Sequence, residues 1–264
     1  MSVIDHVLAF DIETVPDVEF GRRLHGLETL TDKQVGYVMQ TRQREQTGSE
    51  FLSLEQQRIV AISIAMRTPE SFKVWSLGDP GSSEAELVRR FFDGLERLSP
   101  TLVSWNGAGF DLPVLNYRAL RHRIQAPRYW EQGDGDPAFR FNNYLGRFHW
   151  RHVDLMDVLS NFQGRGRVSL HSMAQLLGFP GKLGMSGHQV WQAHLEGRAA
   201  DIRSYCETDV INTYLVYLRF ELMRGRLSQD EHDVEVELVR TTLQESNHPH
   251  LQNFARAWSA TAAC

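Results

Sequence analysis

The hydrophobic pattern begins with short apolar runs typical of strands. HVLAF (6–10), RIVAISIAM (58–66) and FKVWSL (72–77) have strand length and β-branched or aromatic content, and the turn RTPES (67–71) between the last two predicts an antiparallel hairpin. Three strands therefore precede the first amphipathic helix. That helix opens at Ser83 with Glu86 three residues on, the spacing of a capping box, and carries Leu87, Val88, Phe91, Phe92, Leu95 and Leu98 along one face before Pro100 stops it. TLVSW (101–105) reads as a buried strand and NGAGF (106–110) as a turn. The following DLPVLNYRAL (111–120) reads as a helix that tolerates Pro113 only because it lies in the first turn.

Further on come VDLMDVL (153–159), a short helix over 169–178, another over HQVWQAHLEG (188–197) and a long helix over about 201–225. A last helix starts at Ser228, with Glu231 completing a second capping box. Residues 17–58 contain a helical piece, TDKQVGYVMQTRQREQ (31–46), and are too long for a plain connection, so they read as an insertion that is either functional or a cover. No repeat, low-complexity tract or linker divides the chain. The expectation is one mixed α/β domain over 1–264, with 228–264 as a helical extension.

Composition narrows the function classes. The 264 residues are 42% hydrophobic, enough for a sizeable core, yet no apolar stretch approaches a membrane span and MSVIDHV lacks a basic region followed by an apolar one. Cys206 and Cys264 build neither a disulfide framework nor a cysteine zinc site, and a cytoplasmic location is expected. A net charge of -5 argues against gripping duplex nucleic acid over a long tract. The charge is uneven, however. Nine arginines (118, 121, 123, 128, 140, 147, 151, 165 and 167) face five acids between residues 118 and 167, which is either a solvated face or a local anion-binding one.

The candidate chemistry lies in LAFDIETVPD (8–17). Asp11 and Glu13, two apart at the C-terminal end of an apolar strand and before a turn signal, point to the same face; they are either a solvated strand end or lie at a buried edge, where unpaired carboxylates are expensive and call for a cation or a base. Asp111, at the mouth of a helix, is either an N-cap, a catalytic group or both. Asp209 sits one helical turn after Tyr205, on a face with Ile202, Cys206, Val210, Thr213 and Tyr217. A lone carboxylate there needs a partner, which the tyrosine hydroxyl is placed to supply.

In order, DIET, NGAGFD and YCETD resemble the three motifs of the DEDD superfamily of 3′-to-5′ exonucleases, specifically the subgroup similar to the exonuclease domain of family B DNA polymerases in a stand-alone form. Tyrosine, rather than histidine, precedes the last aspartate, as in the tyrosine branch. The chain departs from the wider pattern in FLSLEQQRIV (51–60), where relatives commonly have a proline and a histidine. The resemblance implies an RNase H-like mixed β-sheet flanked by helices, and Asp11, Glu13, Asp111, Tyr205 and Asp209 as catalytic residues. It further implies that the four acids hold two Mg2+ or Mn2+ ions. Asp11 would bridge both, Glu13 and Asp209 would complete the ion that binds the attacking water, Asp111 would hold the second, and Tyr205 would orient the nucleophile. Candidate substrate contacts are Thr14, Asn106 and Phe110, with Arg165 and Arg167 in the loop QGRGRV (163–168).

The implied function is release of 5′-mononucleotides from the 3′ end of single-stranded nucleic acid, DNA rather than RNA. An exoribonuclease or a non-catalytic nucleic-acid-binding module with the same fold are the alternatives. His152, His171, His188 and His194 lack zinc spacing, and Asp154 and Asp157 read as capping or surface groups. In HLQNFARAWSATAAC (250–264), Leu251, Phe254 and Trp258 share a helical face that either docks a partner protein or folds back on the domain.

Overall fold

A computed structural model of the chain describes residues 5–261. Among them, five strands form one mixed sheet: β1 (Val7–Pro16), β2 (Gln57–Arg67), β3 (Phe72–Ser76), β4 (Thr101–Ser104) and β5 (His152–Asp154), in the order β3-β2-β1-β4-β5. The expected hairpin forms, with β2 and β3 antiparallel and the backbones of Thr68 and Ser71 bonded to each other across the turn. β1 runs antiparallel to β2 but parallel to β4, and β4 parallel to β5.

Alternation along β1 assigns its two faces. Leu8, Phe10 and Ile12 join Ile62, Ile64 and the helices α3 (Glu84–Leu98) and α4 (Asp111–His122) in one cluster, where Phe91, Leu95 and Leu115 are fully buried. Val7 and Ala9 face the other way, toward α9 (Ala199–Met223), whose Val210, Tyr214 and Leu218 fill the second cluster. With helices on both faces of a mixed sheet, the fold is the expected RNase H-like α/β arrangement.

Where the structure departs from the sequence pattern, pairing and packing give the reason. β1 does not end at the acids but continues through Thr14, Val15 and Pro16 against β2, which leaves Asp11 and Glu13 inside the strand rather than at its end. The segment 17–58 holds two helices, not one: α1 (Val18–His25), capped by the Asp17 carboxylate on Phe20 N, and α2 (Asp32–Thr47). They pack through Val18, Val35, Met39 and Leu52 against Trp191 of α8 (Gly187–Leu195). The capping box expected at Ser83 is only half formed, since Glu86 turns to Arg90. After the short α5 (Pro127–Trp130), VDLMDVL divides into β5 and the short α6 (Leu155–Leu159), the helix expected over 169–178 is α7 (Leu170–Leu176), and α10 (Gln229–Gln244) and α11 (Pro249–Thr261) follow α9.

The C-terminal apolar face is not available to a partner. Leu251, Phe254 and Trp258 are buried in the cluster that α9 organises, with Trp258 edge-on to Phe179 at 5.6 Å. The remaining candidate there, Cys264, lies outside the described residues. No helix of the described residues is long and apolar enough to cross a membrane.

Most of the arginine surplus is spent internally. Arg118 is buried, with one guanidinium nitrogen 2.7 Å from Asp17 Oδ2 and others at 2.7 and 2.5 Å from the Glu84 carboxylate. Arg121, Arg128 and Arg167 pair with Glu19, Asp136 and Asp157, and Arg151 lies over the Phe139 ring.

Candidate active site

The site is built where β1 and β4 part. Their parallel ladder covers only Val7–Ala9 against Thr101–Val103, so beyond Ala9 the backbone of β1 lacks its neighbour on that side. Asp111 fills the gap: its Oδ1 accepts the Ile12 N–H at 3.1 Å. It is the first residue of α4, whose cap position is Phe110 with no side-chain bond, so the Asp111 carboxylate serves the strand instead of capping the helix.

Along the α9-facing row of β1, Val7 and Ala9 give way to Asp11 and Glu13 before Val15 restores the apolar pattern. Opposite Glu13 the register with β2 slips: Glu13 pairs with Ala61 and Thr14 with Ile59, leaving Val60 as the extra residue of a bulge. Such bulges re-aim side chains and recur beside functional sites. Asp209 and Tyr205 approach from α9 on the same face, both buried. Thus all five predicted catalytic residues converge, although they lie about a hundred and two hundred residues apart in the chain.

The electrostatics are severe. Burial first, then Asp111, Glu13 and Asp209, push the Asp11 carboxyl well above its ordinary range. Burial and Asp209 do the same to Glu13. Burial lifts Asp111 to about 7 even though the Ile12 N–H favours its charged form, and it lifts Asp209 too. Burial and the same acids raise the Tyr205 phenol, so it stays protonated.

Three neighbours were not assigned to the site from the sequence. Lys182, between Gly181 and Leu183, reaches in from the connection before α8; its Nζ lies 3.1 Å from Asp209 Oδ2 and donates a short hydrogen bond to Tyr205 Oη. Burial alone would lower this ammonium, but Asp209, Asp11 and Glu13 outweigh it and hold it above its usual value. The only sequence signal was scarcity: this chain contains 25 arginines but only three lysines, and the other two, Lys33 and Lys73, are exposed. Cys206 lies with Asp11 and Glu13, its Sγ 3.5 Å from Asp11 Oδ2, and burial keeps it a thiol.

Asp154 is the third. Beyond capping α6 through Met156 N at 3.1 Å, it holds the turn before Asp111, accepting Asn106 N and Ala108 N at 2.9 Å each.

The donor set fits a hard divalent cation. It consists of carboxylate oxygens, and Asp209 Oδ1 is buried without a hydrogen-bond partner among the described residues. Asp11, Glu13 and Cys206 present ligand atoms within 4.8 Å of one another. As a neutral thiol, Cys206 is a donor to Asp11 rather than a ligand.

Of the expected substrate contacts, Asn106 holds a left-handed backbone (φ 67°) in the turn, and Phe110 packs at 5.4 Å on the exposed ring of Phe51. Thr14 instead donates to Gln57 Oε1 at 2.9 Å. Arg167 is bound to Asp157 at 2.6 Å, whereas Arg165, exposed in the short 3-10 helix Gly164–Gly166, has no ion-pair partner among the described residues.

Comparison with known proteins agrees with this geometry. Residues 49–258 match the model of a family described as "Predicted 3'-5' exonuclease related to the exonuclease domain of PolB", a span that includes Asp111, Lys182, Tyr205 and Asp209 but begins after Asp11 and Glu13. The chain is also 26% identical over 234 residues to a DNA polymerase epsilon catalytic subunit of Arabidopsis thaliana. That match covers 81% of this chain and 10% of the plant protein, so the chain spans about a tenth of its relative.

Proposed function

The chain belongs to the family of predicted 3′-to-5′ exonucleases related to the exonuclease domain of PolB, and from that premise we propose that it removes 5′-mononucleotides from the 3′ ends of single-stranded DNA. The observation that carries the reading is the convergence of Asp11, Glu13, Asp111 and Asp209 with Tyr205 and Lys182 on one face of the sheet. DNA is favoured over RNA by the likeness to a DNA polymerase.

The four carboxylates would hold two Mg2+ or Mn2+ ions, which supply activation of water and charge stabilisation in an in-line phosphoryl displacement. The protein's own groups do the rest. Tyr205, which burial and the surrounding acids keep as a phenol, orients the attacking water through its hydroxyl. Lys182 offsets the charge of Asp209 and places an ammonium beside the phenol, where the incoming phosphodiester adds negative charge. Asp154 keeps the turn of Asn106 and Phe110 rigid, so that these two can meet the terminal nucleotide by hydrogen bond and stacking.

The test is digestion of end-labelled single-stranded DNA and matched RNA with Mg2+ or Mn2+. Wild type should shorten DNA from its 3′ end, and Asp11→Ala and Asp209→Ala should fall to background. Inactivity of wild type with both metals, or undiminished activity in both variants, would refute the reading; faster loss of RNA would make it an exoribonuclease. Tyr205→Phe should slow turnover about a hundredfold, in the range of a positioned proton-handling group, with metal affinity by calorimetry unchanged. An equal loss of metal affinity would overturn its positioning role.

A further inference from the structure

Beside the acids, on the far side of the Asn106 to Phe110 turn, lies a second cleft of about 400 Å³ that the reaction above does not use. Its lining includes Ala108 and Gly109 of the turn together with Arg147, Phe162 and Arg167. Its aromatic group is unusual. Phe148 is 75% exposed and stands edge-on to Phe162 at 5.1 Å, and the Arg147 guanidinium lies 4.6 Å over the Phe162 ring.

The backbone makes this arrangement deliberate. Among the described residues, five other than glycine have positive φ: Ser99, Asn106, Arg123, Asn161 and Phe162. Ser99 and Arg123 are C-caps of α3 and α4, and Asn161 follows the C-cap of α6, all common sites for the left-handed conformation. Phe162 lies one residue further: its N–H donates to Asp157 O at 2.7 Å and closes that cap, but its own positive φ is not one the cap requires. A bulky residue at φ 59° is an outlier of the kind that surrounding structure maintains at functional sites, and here it turns the ring toward Arg147.

The charge balance favours an anion. In the lining, Asp154, its oxygens bonded to backbone N–H groups, and Asp157 balance Arg147 and Arg167, so the surplus is Arg165. Asp157 is shared by two guanidinium groups, Arg167 at 2.6 Å and Arg147 at 3.9 Å, and Arg165 stands on the adjoining loop without an ion-pair partner among the described residues. A stackable ring with surplus arginine is the combination that holds a base and its phosphate.

We infer that this cleft receives a nucleotide on the 5′ side of the terminal one, so that the single strand crosses the Asn106 to Phe110 turn and is gripped on both sides of it. The inference rests on the exonuclease reading for the direction of the strand. The site selects single strands, because a base can stack on Phe162 only when it has left its own helix. Arg147 supplies the phosphate contact and Phe162 the stacking face.

The test is fluorescence anisotropy of labelled dT12 in Ca2+, with unlabelled dTMP as competitor. Phe162→Ala and Arg147→Ala should each weaken dT12 about five- to a hundredfold, the span of one base–aromatic stack. The preference for dT12 over dTMP should shrink by the same factor, and Phe162→Trp should restore it. Unchanged dT12 affinity, or equal weakening of dTMP and dT12, overturns the inference. Far-UV circular dichroism and the Phe162→Trp rescue separate loss of contact from loss of fold. The exonuclease reading fails separately, through wild-type inactivity on oligonucleotides with Mg2+ and Mn2+.

Discussion

Replacing Asp111 by asparagine tests whether the site is a store of unfavourable charge that a cation relieves. Asparagine keeps the oxygen that accepts the Ile12 N–H and removes only the ionisation. The Asp111 carboxyl titrates at about 7 in the folded chain against 3.8 as a reference. The fold therefore favours its protonated form; this stability is complete below pH 4 and is lost as the pH rises toward 7. About three pKa units at 1.36 kcal/mol each amount to about 4 kcal/mol, of which about 2 to 3 kcal/mol falls between pH 5 and 8. For a chain of this size that corresponds to roughly 5 to 10 °C in melting temperature. The assay is thermal unfolding in EDTA at pH 5, 6, 7 and 8. Wild type should lose stability across the series more steeply than Asp111→Asn, and Mg2+ or Mn2+ at pH 8 should raise the wild type more than the variant. A variant that follows the wild-type pH slope, or that gains as much from metal, refutes the reasoning.

Two further substitutions probe the supporting charges. Lys182→Met removes the ammonium that Asp209 and Tyr205 hold, and should lower kcat on oligonucleotides on the order of a hundredfold while KM moves little; a wild-type kcat would show that the lysine is only a counterion. Arg118→Met leaves Asp17 and Glu84 buried without their shared partner and should cost about 3 to 5 kcal/mol in denaturant unfolding, whereas a loss under about 1 kcal/mol would mean that His122, 2.7 Å from Glu84, can replace it.

The four acids and Tyr205 were legible in the sequence because each sits in a recognisable element and their order is itself a pattern. The expected hairpin, the α3 face and the long α9 were legible for the same reason: their apolar periodicity agrees with the packing. Lys182, Cys206 and Asp154 were not, because their roles consist of contacts to residues distant in the chain. Lys182 lies in a glycine-rich connection with no periodicity, and Asp154 looked like an ordinary cap because capping is half of what it does. The arginine surplus also misled as a bulk signal. Its count says nothing of partners, and Arg118 is consumed by Asp17 and Glu84, acids outside the 118–167 window. The apolar run HVLAF suggested a strand that ends at the acids, yet β1 pairs with β2 on to Pro16 after β4 has left it.

The placement of Tyr205 and Asp209 on α9 fixes how the site can move. This helix has 25 residues, and from Tyr205 to Leu218 every one is buried between the sheet and the outer helices. Segments of that kind lie at the most protected end of local opening and exchange their amide hydrogens only when the whole fold comes apart. The third motif is thus a fixed anvil. Motion that admits a strand or releases a nucleotide falls to the loop of Arg165, an exposed segment tied down by a few hydrogen bonds, so turnover and global stability are set by different parts of the chain.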